Sequence, residues 1–148
     1  MEYKAWVVVA DSARARILGA NKRSGSDLAE LEARYHPESR MKNGEIYADK
    51  PGRMQSMQGK FRTAAGQAPA HELEAERFAR SLAEYLDKSH HQKKFDRLVL
   101  VASPNFLGNL RNEADGQLQK AVANEINKDL SHLEKVEDIR KHLPDYLW

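Results

Sequence analysis

Hydrophobic and polar positions along the chain outline its elements. Ala5 to Ala10 (AWVVVA) is an unbroken apolar, β-branched run, the pattern of a central strand covered on both faces. Asp11 and Ser12 interrupt it. Ala13 to Gly19 then alternates, with Ala13, Ala15 and Ile17 opposing Arg14, Arg16 and Leu18, and the short gap predicts a hairpin. Asn21 to Asp27 (NKRSGSD) has turn composition. Leu28 to Tyr35 alternates again, with Leu28, Glu30, Glu32 and Arg34 opposing Ala29, Leu31, Ala33 and Tyr35. That is the pattern of a half-solvated strand at a sheet edge.

Periodicity then stops. His36 to Ala70 holds Pro37, Gly44, Pro51, Gly52, Gly59, Gly66 and Pro69, with Met41, Met54 and Met57 scattered among them as partner contacts or gap fillers. A stretch of this length without a pattern is uncommon in a compact domain and signals function or disorder. From Pro69 a helix is well marked. Proline suits the first turn, Glu72 and Glu74 sit near the positive end of the dipole, and Leu73, Phe78, Ala79, Leu82, Tyr85 and Leu86 form one stripe. His90 to Lys94 (HHQKK) closes it. Phe95 to Ala102 (FDRLVLVA) is a second buried strand. Phe106, Leu107, Leu110, Ala114 and Leu118 predict a helix with a break near Gly116. Val122, Ile126 and Leu130, with Asn124 and Lys128 between them, fit a last strand better than a helix. Ser131 with Glu134 has the spacing of a capping box ahead of a short helix carrying Val136, Ile139 and Leu143. The expected fold is α/β: a mixed five-stranded sheet in the order βββ-αβαβα, ribonuclease-H-like in outline. Right-handed crossovers put the first strand beside the fourth and the fifth outside that. The 148 residues read as one domain, with a long loop over about 36–70.

Charge and composition narrow the chemistry. The net charge is +2, from 24 basic and 22 acidic residues, so any basic footprint is local. The 36–70 stretch carries six cations (Arg40, Lys42, Lys50, Arg53, Lys60 and Arg62) against Glu38, Glu45 and Asp49. Cysteine is absent, which removes disulfides, thiolate metal sites and Cys nucleophiles together. No signal peptide and no apolar stretch of membrane-spanning length is evident, so a soluble cytoplasmic protein is expected. The six histidines show no metal-binding spacing, and neither a metal nor a cofactor is expected. Ser103 lacks nucleophile-elbow glycines, and Ser103-Pro104-Asn105 reads as helix initiation at the end of a strand, where ligands often bind. Arg14 and Arg16 read as a solvated face paired across the ladder with Glu30 and Glu32. Asp11, at the end of the first strand, reads as a turn residue accepting local backbone hydrogen bonds. The rival reading makes it a metal ligand of a nuclease, which requires several convergent carboxylates.

Two resemblances sharpen the reading. WVVVADSARARIL, FDRLVLVASPNFLGNLR and EINKDLSHL resemble, essentially end to end, the bacterial family of host attachment proteins, "required for attachment to host cells". That family is in turn similar to the central domain of archaeal and eukaryotic class-1 release factors. There a Gly-Gly-Gln loop follows a strand meander and precedes a long RFARLR-like helix and a GLVLAGSADF-like strand. Here Ala65-Gly66-Gln67, Glu76-Arg77-Phe78-Ala79-Arg80 and Leu98 to Phe106 follow in the same order. The resemblance implies that Gln67 orients the water that attacks a peptidyl-tRNA ester, with Gly66 permitting the backbone geometry. It also implies that Arg53, Lys60 and Arg62 contact rRNA or tRNA phosphate, with the ribosome as partner. The chain departs from the motif where Ala65 replaces its first glycine. Ala68 to Ala75 adds about a turn before the RFAR-like part, and stop-codon reading is not expected in a chain of this length. An attachment or interaction protein without catalysis is the alternative, and self-association stays open.

Overall fold

A computed structural model describes residues 2–37 and 70–148. Its elements are β1 (Tyr3–Ala10), β2 (Arg14–Ala20), β3 (Ala29–Tyr35), α1 (Ala70–His91), β4 (Phe95–Ala102), α2 (Pro104–Glu113), α3 (Gly116–Ala121), β5 (Val122–Asn127) and α4 (Val136–Arg140). The five strands form one mixed sheet in the order β3-β2-β1-β4-β5. β1 pairs antiparallel with β2 and parallel with β4, and β5 extends β4 in parallel. The expected order thus holds, with one refinement. The helix after β4 breaks at Ala114 and Asp115, where the Asp115 carboxylate caps α3 by accepting from Leu118 N at 2.7 Å.

The unbroken apolar run in β1 is explained by cover on both faces. Trp6, Val8 and Ala10 face α1, α2 and α3, packing with Ile17, Phe78, Leu82, Leu86, Leu98 and Leu110. Val7 and Val9 face the C-terminal segment, packing with Leu18, Val101, Leu130, Ile139 and Leu147. Each fully buried aliphatic side chain contributes about 1.5–3 kcal/mol, so a strand covered on both faces anchors two cores at once.

Three expectations are corrected. The stripe of α1 runs through Phe78, Leu82 and Leu86, and extending that spacing back a turn reaches position 74 rather than 73. Leu73 is therefore exposed, and Glu74 is the buried residue, at 4%. The capping box does not form. α4 begins at Val136 with Lys135 at its cap and no side-chain cap bond, while the Ser131 hydroxyl turns toward Asp11 and Asp129.

The third correction concerns β3. Its ladder with β2 pairs Ile17 with Glu32 but Leu18 with Glu30, skipping Leu31. This bulge turns Glu30 and Glu32, which share a face in a regular strand, to opposite faces. Arg16 therefore pairs with Glu30 alone, and Arg14 pairs instead with Asp11, at 3.3 Å. Arg16 is not solvated either. It is 9% exposed and its guanidinium also donates to the Leu133 and Glu134 carbonyls.

Candidate functional site

The residues that the sequence nominates, Arg53, Lys60, Arg62, Gly66 and Gln67, lie outside the described residues, as do the three methionines Met41, Met54 and Met57. What the structure defines is the platform on either side of them. The chain leaves the described fold after β3 and re-enters it at α1, and these two points are joined. His36 N donates to the Ala13 carbonyl at 2.7 Å. His36 Nε2 lies 2.9 Å from Glu74 Oε1, and the imidazole stacks on Phe78 with centroids 5.5 Å apart. Arg77, one turn on, donates to the other Glu74 oxygen at 2.5 Å. A buried carboxylate needs such partners, because an unpaired charge away from water is expensive.

Beside this junction is a shallow depression lined by Glu32, Arg34, Tyr35, His36, Phe78 and Ser81. Two of these residues, Arg34 and Glu32, also meet the Tyr85 side chain. The Arg34 guanidinium lies 4.1 Å over the Tyr85 ring, and the Tyr85 hydroxyl donates to Glu32. Burial, then the Glu32 carboxylate, push the Tyr85 phenol above its ordinary value, so it stays a neutral donor. On the outer side, Arg77 and Arg80 have exposed side chains, Arg77 paired with Glu74 and Arg80 with Glu113 at 3.3 Å. The surroundings of the junction thus offer three arginines and a histidine, groups suited to phosphate contact.

The other candidates resolve into structural roles. Asp11 Oδ1 accepts from Ala13 N at 2.8 Å and Arg14 N at 2.9 Å, the turn role expected of it. Its Oδ2 takes Arg14 Nε at 3.3 Å and the Ser131 hydroxyl at 2.7 Å. Asp129 Oδ1 lies 2.7 Å from the same hydroxyl, so Ser131 brings two carboxylates together that the sequence left unconnected. Among the described residues no group of three His, Asp or Glu side chains converges on one point. Ser103 opens α2 with Pro104 in its first turn and no side-chain cap bond, which is helix initiation. His90 and His91 end α1 with ring centroids 6.3 Å apart, and His91 Nε2 reaches Asp115 Oδ2 at 3.2 Å.

The sequence reading missed Glu74 and His36 as a pair. The available signal was the spacing of 74, 78, 82 and 86 in α1, which puts a carboxylate in line with three apolar residues.

The sequence model of bacterial archaeo-eukaryotic release factor family 12 matches residues 4–143. An uncharacterized protein of Rickettsia prowazekii (strain Madrid E) is 38% identical over 61 residues, 40% of this chain and 41% of that one. An archaeal translation termination factor, aRF1, superposes with a TM-score of 0.51 at 11% identity, over 95% of this chain and 35% of its own. A further archaeal protein superposes with a TM-score of 0.45 at 13% identity, over 93% of this chain and 35% of its own. The chain thus spans about a third of the solved structures it is similar to and about two-fifths of the curated relative. At that identity the likeness to aRF1 is one of fold. No helix among the described residues is long and apolar enough to cross a membrane.

Proposed function

We propose that this chain, which belongs to bacterial archaeo-eukaryotic release factor family 12, is a translation-related module that contacts ribosomal or transfer RNA through the 53–67 stretch. In this reading Arg53, Lys60 and Arg62 neutralise phosphates, a sequence-independent contact that weakens with salt. Gln67 orients water toward the ester of a peptidyl-tRNA, and a backbone N–H near Gly66 stabilises the oxyanion. The proton of the attacking water passes to the departing tRNA hydroxyl. With Ala65 in place of the motif's first glycine, binding is the primary claim and hydrolysis the secondary one. The working compartment in this reading is the cytoplasm.

The observation that carries the reading is the His36–Glu74 contact. It holds together the two points between which Gly66 and Gln67 lie in sequence, on a sheet and helix of release-factor fold. Cations already flank that junction through Arg34, Arg77 and Arg80.

The test has two arms. Co-sedimentation with ribosomes at low salt is expected for the parent and reduced for Lys60→Ala plus Arg62→Ala. Peptide release from stalled ribosomes is expected for the parent and lost in Gln67→Ala. Equal release by both proteins removes the catalytic claim and leaves a binding module. No ribosome or RNA binding at low salt removes the whole reading and returns the chain to the attachment role of the host attachment proteins it resembles.

A further inference from the structure

We infer that the chain carries a second contact for an RNA phosphate backbone, at the opposite end of α1 from the His36–Glu74 junction, built from Lys88, Lys93 and Lys94 with Lys4 and Arg97. This inference rests on the RNA-binding reading above and adds a surface to it. α1 has 22 residues, so its two ends are about 30 Å apart. At its far end the chain turns through Gln92 to Lys94 into β4. Tyr3 N donates to the Lys94 carbonyl, and Ala5 pairs with Arg97, so the amino-terminal ends of β1 and β4 share this surface with the turn.

The charge there is one-sided. Asp96 is the carboxylate between these cations, and it is already held by Lys4 at 2.8 Å and Arg97 at 3.6 Å. Asp87 and Asp115 lie on the flank toward α3, where Asp115 takes His91. Lys88, Lys93 and Lys94 make no ion pair among the described residues, and Lys88 and Lys93 are exposed.

The helix dipole accounts for a cation or two in the last turn of α1. It does not account for Lys93. After α1 the chain closes with Lys93 N donating to the His90 carbonyl at 2.9 Å and Lys94 N to the Ser89 carbonyl at 3.0 Å. This termination puts the residue at position 93 in the left-handed region, and Lys93 has φ 61°. Glycine is the residue that such a helix end normally takes, because a Cβ there is strained. Among the described residues Lys93 is the one non-glycine with positive φ. A lysine held in a glycine's conformation, in a turn that also carries Lys94 and follows Lys88, points to a function for its charge rather than to stability.

Lys93→Gly separates the two roles. It relieves strain and removes a charge, so the melting temperature is expected to rise by about 2–4 °C while RNA affinity falls. A rise in melting temperature with unchanged affinity overturns the inference. The triple variant Lys88→Ala, Lys93→Gly, Lys94→Ala measures the whole surface. Its probe is fluorescence anisotropy with a single-stranded RNA of about 12 nucleotides across a salt series. Loss of about 10- to 100-fold at low salt, with the slope of log affinity against log salt shallower by about two units, is expected. Unchanged affinity and slope overturn the inference, as does a parent protein that binds anionic-lipid vesicles and ignores RNA. The loop variant Lys60→Ala plus Arg62→Ala runs alongside. Loss in the loop variant with retention in the triple variant sinks this inference and keeps the proposed function. The reverse keeps the second surface and sinks the loop contact.

Discussion

His36 and Glu74, 38 positions apart in sequence, face each other at 2.9 Å and close the chain on itself where β3 ends and α1 begins. The carboxylate is 5% exposed, with Arg77 on its other oxygen. Glu74→Ala is expected to lower unfolding free energy by about 1–3 kcal/mol, read from urea midpoints, because it strips a buried partner from both His36 and Arg77. A double-mutant cycle with His36→Ala should return a coupling of about 0.5–2 kcal/mol. Additive losses would mean that each residue acts through other neighbours.

Arg16 ties the edge hairpin to the C-terminal segment. Its guanidinium holds Glu30 through Nη2 at 2.8 Å and Nε at 3.2 Å, and it donates to Glu134 O at 2.8 Å and to Leu133 O. Arg16→Met keeps much of the volume and orphans all of these acceptors, so a loss of about 2–4 kcal/mol is expected. Arg16→Lys should recover little of it, since an ammonium cannot match the planar fork. Full recovery by lysine in thermal melts would show that charge alone is used.

The contrast between what the sequence foretold and what it hid follows from which contacts are local. FDRLVLVA marks β4 to the residue: Leu98 to Ala102 are apolar because both faces are covered there, while Asp96 and Arg97 fall at its less buried entry end. The position of β5 outside β4 followed from crossover geometry. The bulge at Leu31 was invisible, because an alternating sequence remains alternating on paper when one residue drops out of the ladder. The local spacing of Ser131 and Glu134 fits a cap, but the Ser131 hydroxyl turns to Asp129 and to Asp11, the latter 120 positions away and out of reach of any spacing rule. For Glu74 the burial is legible in its spacing with Phe78, Leu82 and Leu86, but its partner His36, 38 positions away, is not. The Gly66-Gln67 reading came from motif order alone, and those residues lie outside the described ones.

Gly19 in β2 is a packing constraint. A Cβ built there would lie 2.7 Å from Tyr3 Cδ1 and 3.0 Å from Leu31 Cδ1. Both neighbours also pack against the core under α1, so neither retreats freely. Gly19→Ala is expected to destabilise by about 1–3 kcal/mol, despite alanine's better fit to a strand. Gly108, with nothing within 4 Å of its Cβ position and a place inside α2, is the control. Gly108→Ala should stabilise by about 0.5–1 kcal/mol. Equal effects at the two sites in chemical unfolding would contradict the packing account.

Two aspartates near the far end of α1 should respond to pH with opposite signs. The hydrogen bond from Lys4 holds Asp96 below the ordinary carboxylate value. A depressed folded-state value means that the ionised form favours folding. The contribution is present above about pH 4 and is lost as pH falls through the folded value. Asp96→Asn should therefore destabilise at pH 7, modestly because the pair is partly exposed, and should cease to matter in strong acid. For Asp87, burial raises the value, with the Asp115 charge adding to it. The native state then binds the proton more tightly than the unfolded chain, so ionisation above about pH 4 works against folding. Asp87→Asn should raise stability at pH 7 and lose that advantage as pH falls below about 4. Thermal melts of the two variants from pH 3 to 7 supply the check, and parallel rather than diverging curves would refute the assignment of either carboxylate's environment.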